Sequence, residues 1–247
     1  MANKYLPVNI SIAAHKCLVV GGGKVALRKI ETLIEFGADI TVISPECADK
    51  IEYYQSRGEL KLEKRAYKSP EAADFGIVIS ATDDEAVNKV VFEDCKKAGN
   101  LVNVVDNPPL CNFIFPAYLK RDAMTIAIST DGTAPFLAAH LRVIMENIFP
   151  DHWKRIVSLA GSFRKKVLDR WGDNAKERFA SLDRFLSADW KSLIKNKNDE
   201  QLDEQLEALL EPQPDEEPAE EHPYVPHQED AGEDGPIMLE FGEDDKK

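Results

Sequence analysis

The most constraining feature of the sequence is the stretch Cys17–Arg28, which reads CLVVGGGKVALR. A short apolar run of the kind found in buried strands ends in three glycines, and an amphipathic segment over Val25–Phe36 follows without a break. In the spacing Gly21-x-Gly23-x-x-Ala26, the first glycine permits a tight bend and the second lets the backbone approach a pyrophosphate. The third small residue lets the helix pack close to the strand. The stretch predicts a dinucleotide-binding turn, although glycine-rich turns also serve plain packing.

Short apolar or β-branched runs alternate with helical patterns along the chain after this turn. The predicted strands are Cys17–Val20, Ile40–Ile43, Leu60–Arg65, Phe75–Ser80 and Leu101–Val105, and the helical patterns cover about 25–36, 47–57, 69–74 and 85–98. This alternation is typical of βαβ units. The predicted fold class is therefore α/β, with an NAD-binding Rossmann domain and a parallel sheet over residues 1–113.

The carboxyl ends of the predicted strands carry most of the residues that could do chemistry. Right-handed crossovers place these ends along one edge of a parallel sheet, and ligands of open α/β sheets bind there. The segments at this edge are Gly21–Gly23, Ser44–Glu46, Thr82–Asp84 and Asp106.

The chain changes character after the Rossmann domain. A small β/α segment over 114–149 is predicted from strands at Asn112–Pro116 and Met124–Ser129 and a helix from Pro135 to about Phe149. Residues 150–210 are charged, with apolar residues at helical spacing, and predict a helical C-terminal domain.

The last segment, 211–247, is an acidic tail. It holds fourteen Asp or Glu residues and two Lys, a net charge of -12 within the total of -13, so the rest of the chain is nearly neutral. A tail of this composition buries too little apolar surface to offset its ordering entropy, so we expect disorder, the alternative being a small docking patch around Ile237. The overall acidity argues against a nucleic-acid partner.

The cysteines and the hydropathy pattern indicate the compartment. Cys17, Cys47, Cys95 and Cys111 show no CxxC spacing, so we expect reduced thiols of a cytoplasmic protein and no metal site. With no charged-then-apolar leader and no apolar run of 18 residues, we expect neither a signal peptide nor a membrane span.

Asp106 is the leading candidate for catalysis. It ends a buried-type strand at the ligand edge, where a carboxylate can take a proton from a substrate while a nicotinamide takes a hydride. The alternative is an aspartate that only caps a turn. Glu46 lies 20 residues past Ala26, where dinucleotide folds often bind the adenosine ribose with an acid, or it is surface charge. No arginine directly follows the second strand, which favours NAD over NADP.

Three further groups of residues have two interpretations each. Lys24, Arg28 and Lys29 flank the glycine turn and either contact the ligand or form a solvated helix face. The hydroxyl-rich turn Ser129–Thr133 binds an anion or caps the following helix through Thr133. His140 and His152 are structural, the commoner role of a lone histidine in a helix, or serve as a ligand or base, although no HxxxH or CxxC pairing supports a transition-metal site.

Four motifs together resemble the precorrin-2 dehydrogenase/sirohydrochlorin ferrochelatase family, the N-terminal module of siroheme synthases. The resemblance covers about residues 5–150, in the family's order. The motifs are Gly21–Lys29 (GGGKVALRK), Ala81–Asn88 (ATDDEAVN), Asn103–Asp106 (NVVD) continuing to Phe113–Pro116 (FIFP), and Ala127–Thr130 (AIST) continuing through Gly132–Pro135 (GTAP) to Leu141-Arg142.

The resemblance implies an NAD-dependent oxidation of precorrin-2 to sirohydrochlorin, with insertion of Fe²⁺ in some members. It also implies a homodimer interlocked through the segment after the Rossmann domain, here 114–149. By this match the cofactor contacts are Lys24, Val25, Pro45 and Glu46, with Gly21, Gly23, Thr82 and Asp83 in the surrounding motifs. Asp106 matches the catalytic aspartate and Ser129 a serine at the tetrapyrrole site, while Arg121 and Arg142 suit the substrate's carboxylates.

Asp131 stands where the family usually has glycine, which leaves the substrate's pose and the chelation open. Two rival hypotheses remain at the level of sequence. One is a nucleotide-sensing Rossmann module that needs the glycine turn and Glu46 but not Asp106. The other is a chelatase that merely retains the fold and inserts metal without NAD.

Overall fold

A computed structural model describes residues 5–211 of the chain. The predicted acidic tail lies, apart from Glu211, outside the described residues. The chain divides into two compact units, one with the described residues up to Tyr118 together with Ala127–Ile144, the other with Leu119–Ile126 and the described residues from Met145 onward. The boundaries expected at 113/114 and 149/150 stay predictions.

The central element of the first unit is a five-stranded parallel sheet in the order β3-β2-β1-β4-β5. Its strands are β1 (Lys16–Val20), β2 (Asp39–Ile43), β3 (Lys61–Glu63), β4 (Ile77–Ser80) and β5 (Leu101–Val104). The predicted Rossmann fold is thereby confirmed. The strand order reverses between β1 and β4, which is where such sheets open a crevice for ligands.

Helices cover both faces of this sheet. They are α1 (Lys24–Glu35), α2 (Asp49–Ser56) and α3 (Glu85–Ala98), with short 3-10 helices at Ile12–Ala14 and Glu71–Asp74. In β1, Cys17 and Val19 pack into one apolar cluster with α1, and Leu18 and Val20 pack into the other with α3. Burial on both faces explains why β1 is apolar throughout rather than alternating.

The strand predicted at Asn112–Pro116 is wrong. The strand of this region, β6, runs over Ala117–Arg121. The preceding segment instead lies along β5 as a cover: the Asn112 N–H donates to the Val102 carbonyl at 3.0 Å, and the Val102 N–H donates to the Asn112 side chain at 2.7 Å. A side-chain oxygen thus replaces the carbonyl that a sixth strand would supply to the edge of the sheet.

The chain continues with a hairpin and a long helix. Strands β6 and β7 (Met124–Ile128) form a separate two-stranded sheet, and α4 runs over Pro135–Ile148. The two-residue hairpin loop begins at Asp122, whose φ of 56° is left-handed. Aspartate tolerates this conformation better than most residues, which suits it to such a turn.

The second unit has a core built mainly from helices, as the sequence predicts. These are α5 (Trp153–Trp171), α6 (Ala175–Ser187), α7 (Trp190–Asn196) and α8 (Asp199–Leu210). Phe163 is fully buried and stacks on Phe185 with ring centroids 5.2 Å apart, and Trp190 packs on the other side of Phe185. Within residues 5–211, no helix is both long enough and apolar enough to cross a membrane.

We expect Asn112→Ala to destabilise the Rossmann unit by about 1–3 kcal/mol, because the Val102 N–H loses its partner at a buried position. Urea unfolding followed by circular dichroism measures the loss, and hydrogen exchange of the Val102 amide locates it.

A matched control is Asn196→Ala, at an exposed position on α7. All three tryptophans, Trp153, Trp171 and Trp190, lie in the second unit, so tryptophan fluorescence follows that unit separately. Unchanged exchange at Val102 in Asn112→Ala would contradict the role given to the side chain.

Candidate functional site

The glycine turn lies between two neighbouring loops at the carboxyl edge of the sheet. The Gly21 N–H donates to the Ile43 carbonyl at 2.9 Å, and Gly22 accepts from the Ala48 N–H at the same distance. A Cβ atom at Gly21 would overlap the Ala81 carbonyl, and Gly21 has a φ of 115°. The first glycine is therefore required by backbone contact as well as by conformation.

Gly22 and Gly23 meet different surroundings. A Cβ atom at Gly22 would overlap the Glu46 carbonyl and the Cys47 side chain, so this glycine is also required by packing. At Gly23 a Cβ atom would meet nothing within 4 Å, and φ is -78°. Packing within residues 5–211 therefore does not require glycine at position 23, which fits a position that a ligand approaches closely.

The loops that enclose the turn carry the other predicted cofactor residues. Pro45 and Glu46 follow β2 and are exposed, and the Ser44 hydroxyl fixes this loop by donating to the Glu46 carbonyl. Thr82 and Asp83 follow β4, whose continuation is fixed by the Ala81 N–H donating to the Val20 carbonyl at 2.8 Å. The fold thus brings the two loops to either side of Gly21 and Gly22.

The N-terminus of α1 is open to an anion. The helix begins at Lys24 after Gly23, no side chain caps it, and its first turn contains no acidic residue. By contrast, Asp84 caps α3 and Asn174, Asp189 and Asn198 cap α6, α7 and α8. Free N–H groups and the positive end of the helix dipole at α1 suit a pyrophosphate, so the residues present fit NAD.

Asp106 lies just past β5, at the same edge of the sheet. It is exposed and has a φ of 58°, in the left-handed region that few non-glycine residues adopt. The following loop is held by Cys111, whose thiol donates to the carbonyls of Val104 and Asn107, at 3.2 and 3.3 Å. Strain of this kind is often found at functional positions, and here it orients a carboxylate toward solvent at the ligand edge.

The predicted substrate residues fall in both units. Ser129 is exposed, and its hydroxyl accepts from the Asp131 N–H at 3.1 Å. Asp131 has a left-handed φ of 51°, which explains why glycine suits this position. In this turn the Thr130 hydroxyl accepts from the Ala134 N–H at 3.2 Å, and the Thr133 hydroxyl donates to the Thr130 carbonyl. Both interpretations of the turn stay predictions.

The two arginines differ in their surroundings. In the second unit, Arg121 donates from Nε to the Phe149 carbonyl at 2.8 Å and lies 3.7 Å from Asp151. Its side chain is 13% exposed, so much of its guanidinium is already engaged. Arg142 is half-buried on α4. Both stay predictions as substrate residues.

Comparisons with known proteins agree with this geometry. A family model described as Putative NAD(P)-binding matches residues 8–117. Siroheme synthase of Methylococcus capsulatus is 39% identical over 66% of this chain and 34% of that protein. Siroheme synthase of Nitrosospira multiformis is also 39% identical, over 70% of this chain and 38% of that protein. The chain spans little more than a third of the length of these relatives.

A solved structure, SirC, precorrin-2 dehydrogenase, matches with a TM-score of 0.67 and 26% sequence identity, covering 83% of this chain and all of that one. The chain is thus similar to siroheme synthases over about two thirds of its own length and to a precorrin-2 dehydrogenase over most of it. The family resemblance predicted from the four motifs is confirmed.

The structure distinguishes one cation of α1 whose interpretation the sequence left open. Lys29 on α1 is half-buried, and its ammonium lies 4.2 Å from the ring centroid of Phe115. Burial and the charge of Arg28 lower the pKa of Lys29, while Asp106 and Cys111 oppose that shift. The sequence signal for Lys29 is its place about one and a half turns into α1, after the glycine turn. The adjacent Arg28 gives nearly the same signal, so the sequence does not separate the two residues.

The glycine turn gives a paired prediction. We expect Gly21→Ala to unfold or strongly destabilise the Rossmann unit, because the new Cβ overlaps the Ala81 carbonyl at a φ of 115°. We expect Gly23→Ala to fold with a nearly unchanged melting temperature but to bind NAD at least about tenfold more weakly, because the new methyl group occupies the space that a pyrophosphate needs.

Circular dichroism gives the melting temperature, and isothermal titration calorimetry gives the affinity for NAD. A Gly23→Ala protein that binds NAD as tightly as the wild type would contradict the assignment of this turn to the cofactor.

Proposed function

We propose that the protein is an NAD-dependent dehydrogenase that oxidises precorrin-2 to sirohydrochlorin in siroheme biosynthesis. The observation that carries the proposal is the position of Asp106, an exposed carboxylate held at the carboxyl edge of a sheet whose glycine turn leaves a helix N-terminus open. It is supported by the solved relative, a precorrin-2 dehydrogenase, and by the siroheme synthases that the chain resembles.

The cofactor site is formed by backbone at the turn and side chains in the loops. Gly21 and Gly23 shape the turn, and the free N–H groups of Lys24 and Val25 in the first turn of α1 would hold the pyrophosphate. Pro45 and Glu46 would hold the adenosine part, with the Glu46 carboxylate as the acceptor for the ribose hydroxyls. Thr82 and Asp83 enclose the other side of the turn.

The reaction removes two hydrogens from the substrate, one as a hydride and one as a proton. When bound, NAD supplies the two-electron acceptor for the hydride. Asp106 takes the proton, which leaves the electron pair of the broken bond in the newly extended conjugated system of sirohydrochlorin. The left-handed backbone at Asp106 fixes where this carboxylate begins, so the proton acceptor is pre-oriented.

The substrate is a macrocycle with eight carboxylates, so cationic and hydroxyl groups are the expected contacts. We assign Ser129, Arg121 and Arg142 to it. The Ser129 hydroxyl is exposed, and Arg142 carries a fixed positive charge.

Insertion of Fe²⁺ into sirohydrochlorin is a second outcome that the same assay tests. Among the described residues, no group of three His, Cys, Asp or Glu side chains converges as a metal site. In this second reaction iron would be a substrate held by the macrocycle nitrogens, and Asp106 would accept a displaced pyrrole proton. We also place the protein in the cytoplasm, which its four free cysteines support.

For the reaction itself, we expect wild-type protein to form NADH and sirohydrochlorin from precorrin-2 and NAD under anaerobic conditions. Asp106→Asn keeps the shape but not the base, so we expect kcat to fall about 10²- to 10⁴-fold while the Kd for NAD stays within twofold of the wild type, about 0.4 kcal/mol. Absorbance of NADH and the sirohydrochlorin spectrum follow turnover.

Fe²⁺ is added after the dehydrogenation is complete, and an iron-dependent spectral change above the uncatalysed rate establishes chelation. Wild-type protein that binds NAD without forming NADH would overturn the dehydrogenase and leave an NAD-sensing module. Iron insertion into supplied sirohydrochlorin, together with no NADH formed from precorrin-2, would mean that the protein is a chelatase only.

We further propose that the protein is a homodimer and that α4 forms part of the interface. Five large apolar residues on α4 are exposed, namely Phe136, Leu137, Val143, Ile144 and Ile148. They recur at helical spacing and lie on one side of the helix. Phe136 is 78% exposed, a large cost for an aromatic ring unless a partner covers it.

We expect Phe136→Glu combined with Val143→Glu to convert a dimer into a monomer, because both charges would be buried at the interface. Sedimentation equilibrium measures the mass. The control is Val90→Glu, which introduces a charge at another exposed valine, on α3, and is expected to keep the dimer. A wild-type protein of monomer mass would overturn the assignment.

A further inference from the structure

We propose that Asn88 is a positioning residue for the cofactor site: its side-chain amide holds the Thr82 carbonyl, so that the N–H of the Thr82–Asp83 peptide is presented as a donor to NAD. The proposal rests on the proposed dehydrogenase function, because NAD is the cofactor of that reaction. It concerns a residue of α3 that the proposed cofactor contacts do not include.

The side chain of Asn88 joins the end of β4 to the loop that follows it. Asn88 lies in the first turn of α3 and is buried. Its Nδ2 donates to the Thr82 carbonyl at 2.9 Å, and its Oδ1 accepts from the buried Ser80 hydroxyl at 2.6 Å. Because a carbonyl oxygen only accepts, the group that faces Thr82 is the NH₂, so these partners fix which way the amide is turned.

The loop between β4 and α3 is anchored at both ends. At its start, the Ala81 N–H donates to the Val20 carbonyl at 2.8 Å, and the Ala81 carbonyl occupies the space where a Cβ atom at Gly21 would lie. At its end, Asp84 caps α3 with its side chain. The Thr82–Asp83 peptide lies between these anchors, against the glycine turn, and Asn88 is what sets its orientation.

The orientation of this peptide follows from its geometry. The peptide bond is trans, since the cis bond of the described residues is Ser69–Pro70. In a planar trans peptide the C=O and N–H groups point in opposite directions. The Thr82 carbonyl faces Asn88, so the Asp83 N–H points away from it. Asp83 is exposed, and within residues 5–211 its N–H has no hydrogen-bond partner.

A free N–H at the carboxyl edge of the sheet suits the chemistry of NAD. The pyrophosphate and the riboses of NAD carry acceptor oxygens, and donors from backbone N–H groups are the usual partners of such oxygens. If the peptide turned over, the Thr82 carbonyl would replace the Asp83 N–H, and an acceptor would meet an acceptor. The hydrogen bond from Asn88 opposes this rotation before the cofactor binds.

Amide exchange tests the presented donor directly. NMR of the ¹⁵N-labelled full chain follows the exchange of the Asp83 amide with water, with and without saturating NAD. We expect rapid exchange in the free protein and at least about tenfold slower exchange with NAD, because the N–H then donates to the cofactor. Exchange of the Asp83 amide that NAD leaves unchanged overturns the proposal, whatever the variants do.

Two variants test the role of Asn88. Asn88→Leu keeps the branching and approximate volume of the side chain but removes both hydrogen bonds, and Asn88→Ala also removes the volume. We expect both to raise the Kd and KM for NAD about three- to tenfold and to weaken the protection of the Asp83 amide, with kcat close to wild type. A residue that only fills space predicts wild-type affinity in Asn88→Leu and a loss in Asn88→Ala alone.

The matched control is Asn112→Leu, which removes another side-chain amide that hydrogen-bonds to backbone of the Rossmann unit. We expect it to lower the melting temperature but to keep the Kd for NAD within about twofold of the wild type. Wild-type affinity in Asn88→Leu, or an equal loss of affinity in Asn112→Leu, overturns the positioning role. Failure of the proposed function has a different signature: the wild-type protein then binds NAD and protects the Asp83 amide but forms no NADH from precorrin-2.

Discussion

The close approach of backbone to backbone at Gly21 and Gly22 is the constraint on which the rest of the site depends. Parallel strands deliver their loops to one edge, and here the loops after β2 and β4 leave no room for a side chain on either glycine. This contact fixes where α1 begins and directs its free N–H groups toward the crevice between β1 and β4. No described residue crowds position 23, so the glycine there is the one that a ligand's close approach would explain.

Much of the fold could be predicted because its signals are local. β1 is apolar on both faces, β2 consists mainly of β-branched residues, and glycines follow α1 and α3. The hydrophobic pattern and these glycines therefore located the elements to within a few residues. The segment around Asn112 failed for a physical reason. Phe113 and Phe115 alternate as in a strand, and both pack against the apolar core. Their segment, however, contacts the edge strand β5 partly through the Asn112 side chain, which accepts from the Val102 N–H. Strand propensity predicts pairing through backbone groups. It cannot predict that a side-chain amide takes the place of a backbone carbonyl.

The residues of the candidate site also fall into those with a local sequence signal and those whose surroundings depend on packing. The turn, the acid after β2 and the aspartate after β5 could be placed from sequence, because the end of a parallel strand has a known destination. Lys29 could not be separated from Arg28, since adjacent residues of a helix differ only in the direction they face, and that direction is decided by what packs against the helix. The segment that covers β5 decides it here, because the Lys29 ammonium lies over the ring of Phe115 in that segment. The wrong strand at Asn112–Pro116 and the open interpretation of Lys29 therefore have a common origin.

The helix N-termini differ in whether a side chain caps them. Asp84, Asn174, Asp189 and Asn198 satisfy helix N-termini with side chains, and these helices need nothing further. At the carboxyl edge of the sheet the chain instead leaves α1 uncapped and holds Asp106 in a left-handed conformation. Each departure costs free energy in the isolated protein, on the order of 1 kcal/mol for a missing cap and 1–3 kcal/mol for a strained residue. A missing side-chain cap alone does not mark a site, because α2 and α5 also lack one. What distinguishes the carboxyl edge is that the uncapped α1 and the strained Asp106 occur there together, as expected where an anion and a substrate would offset these costs.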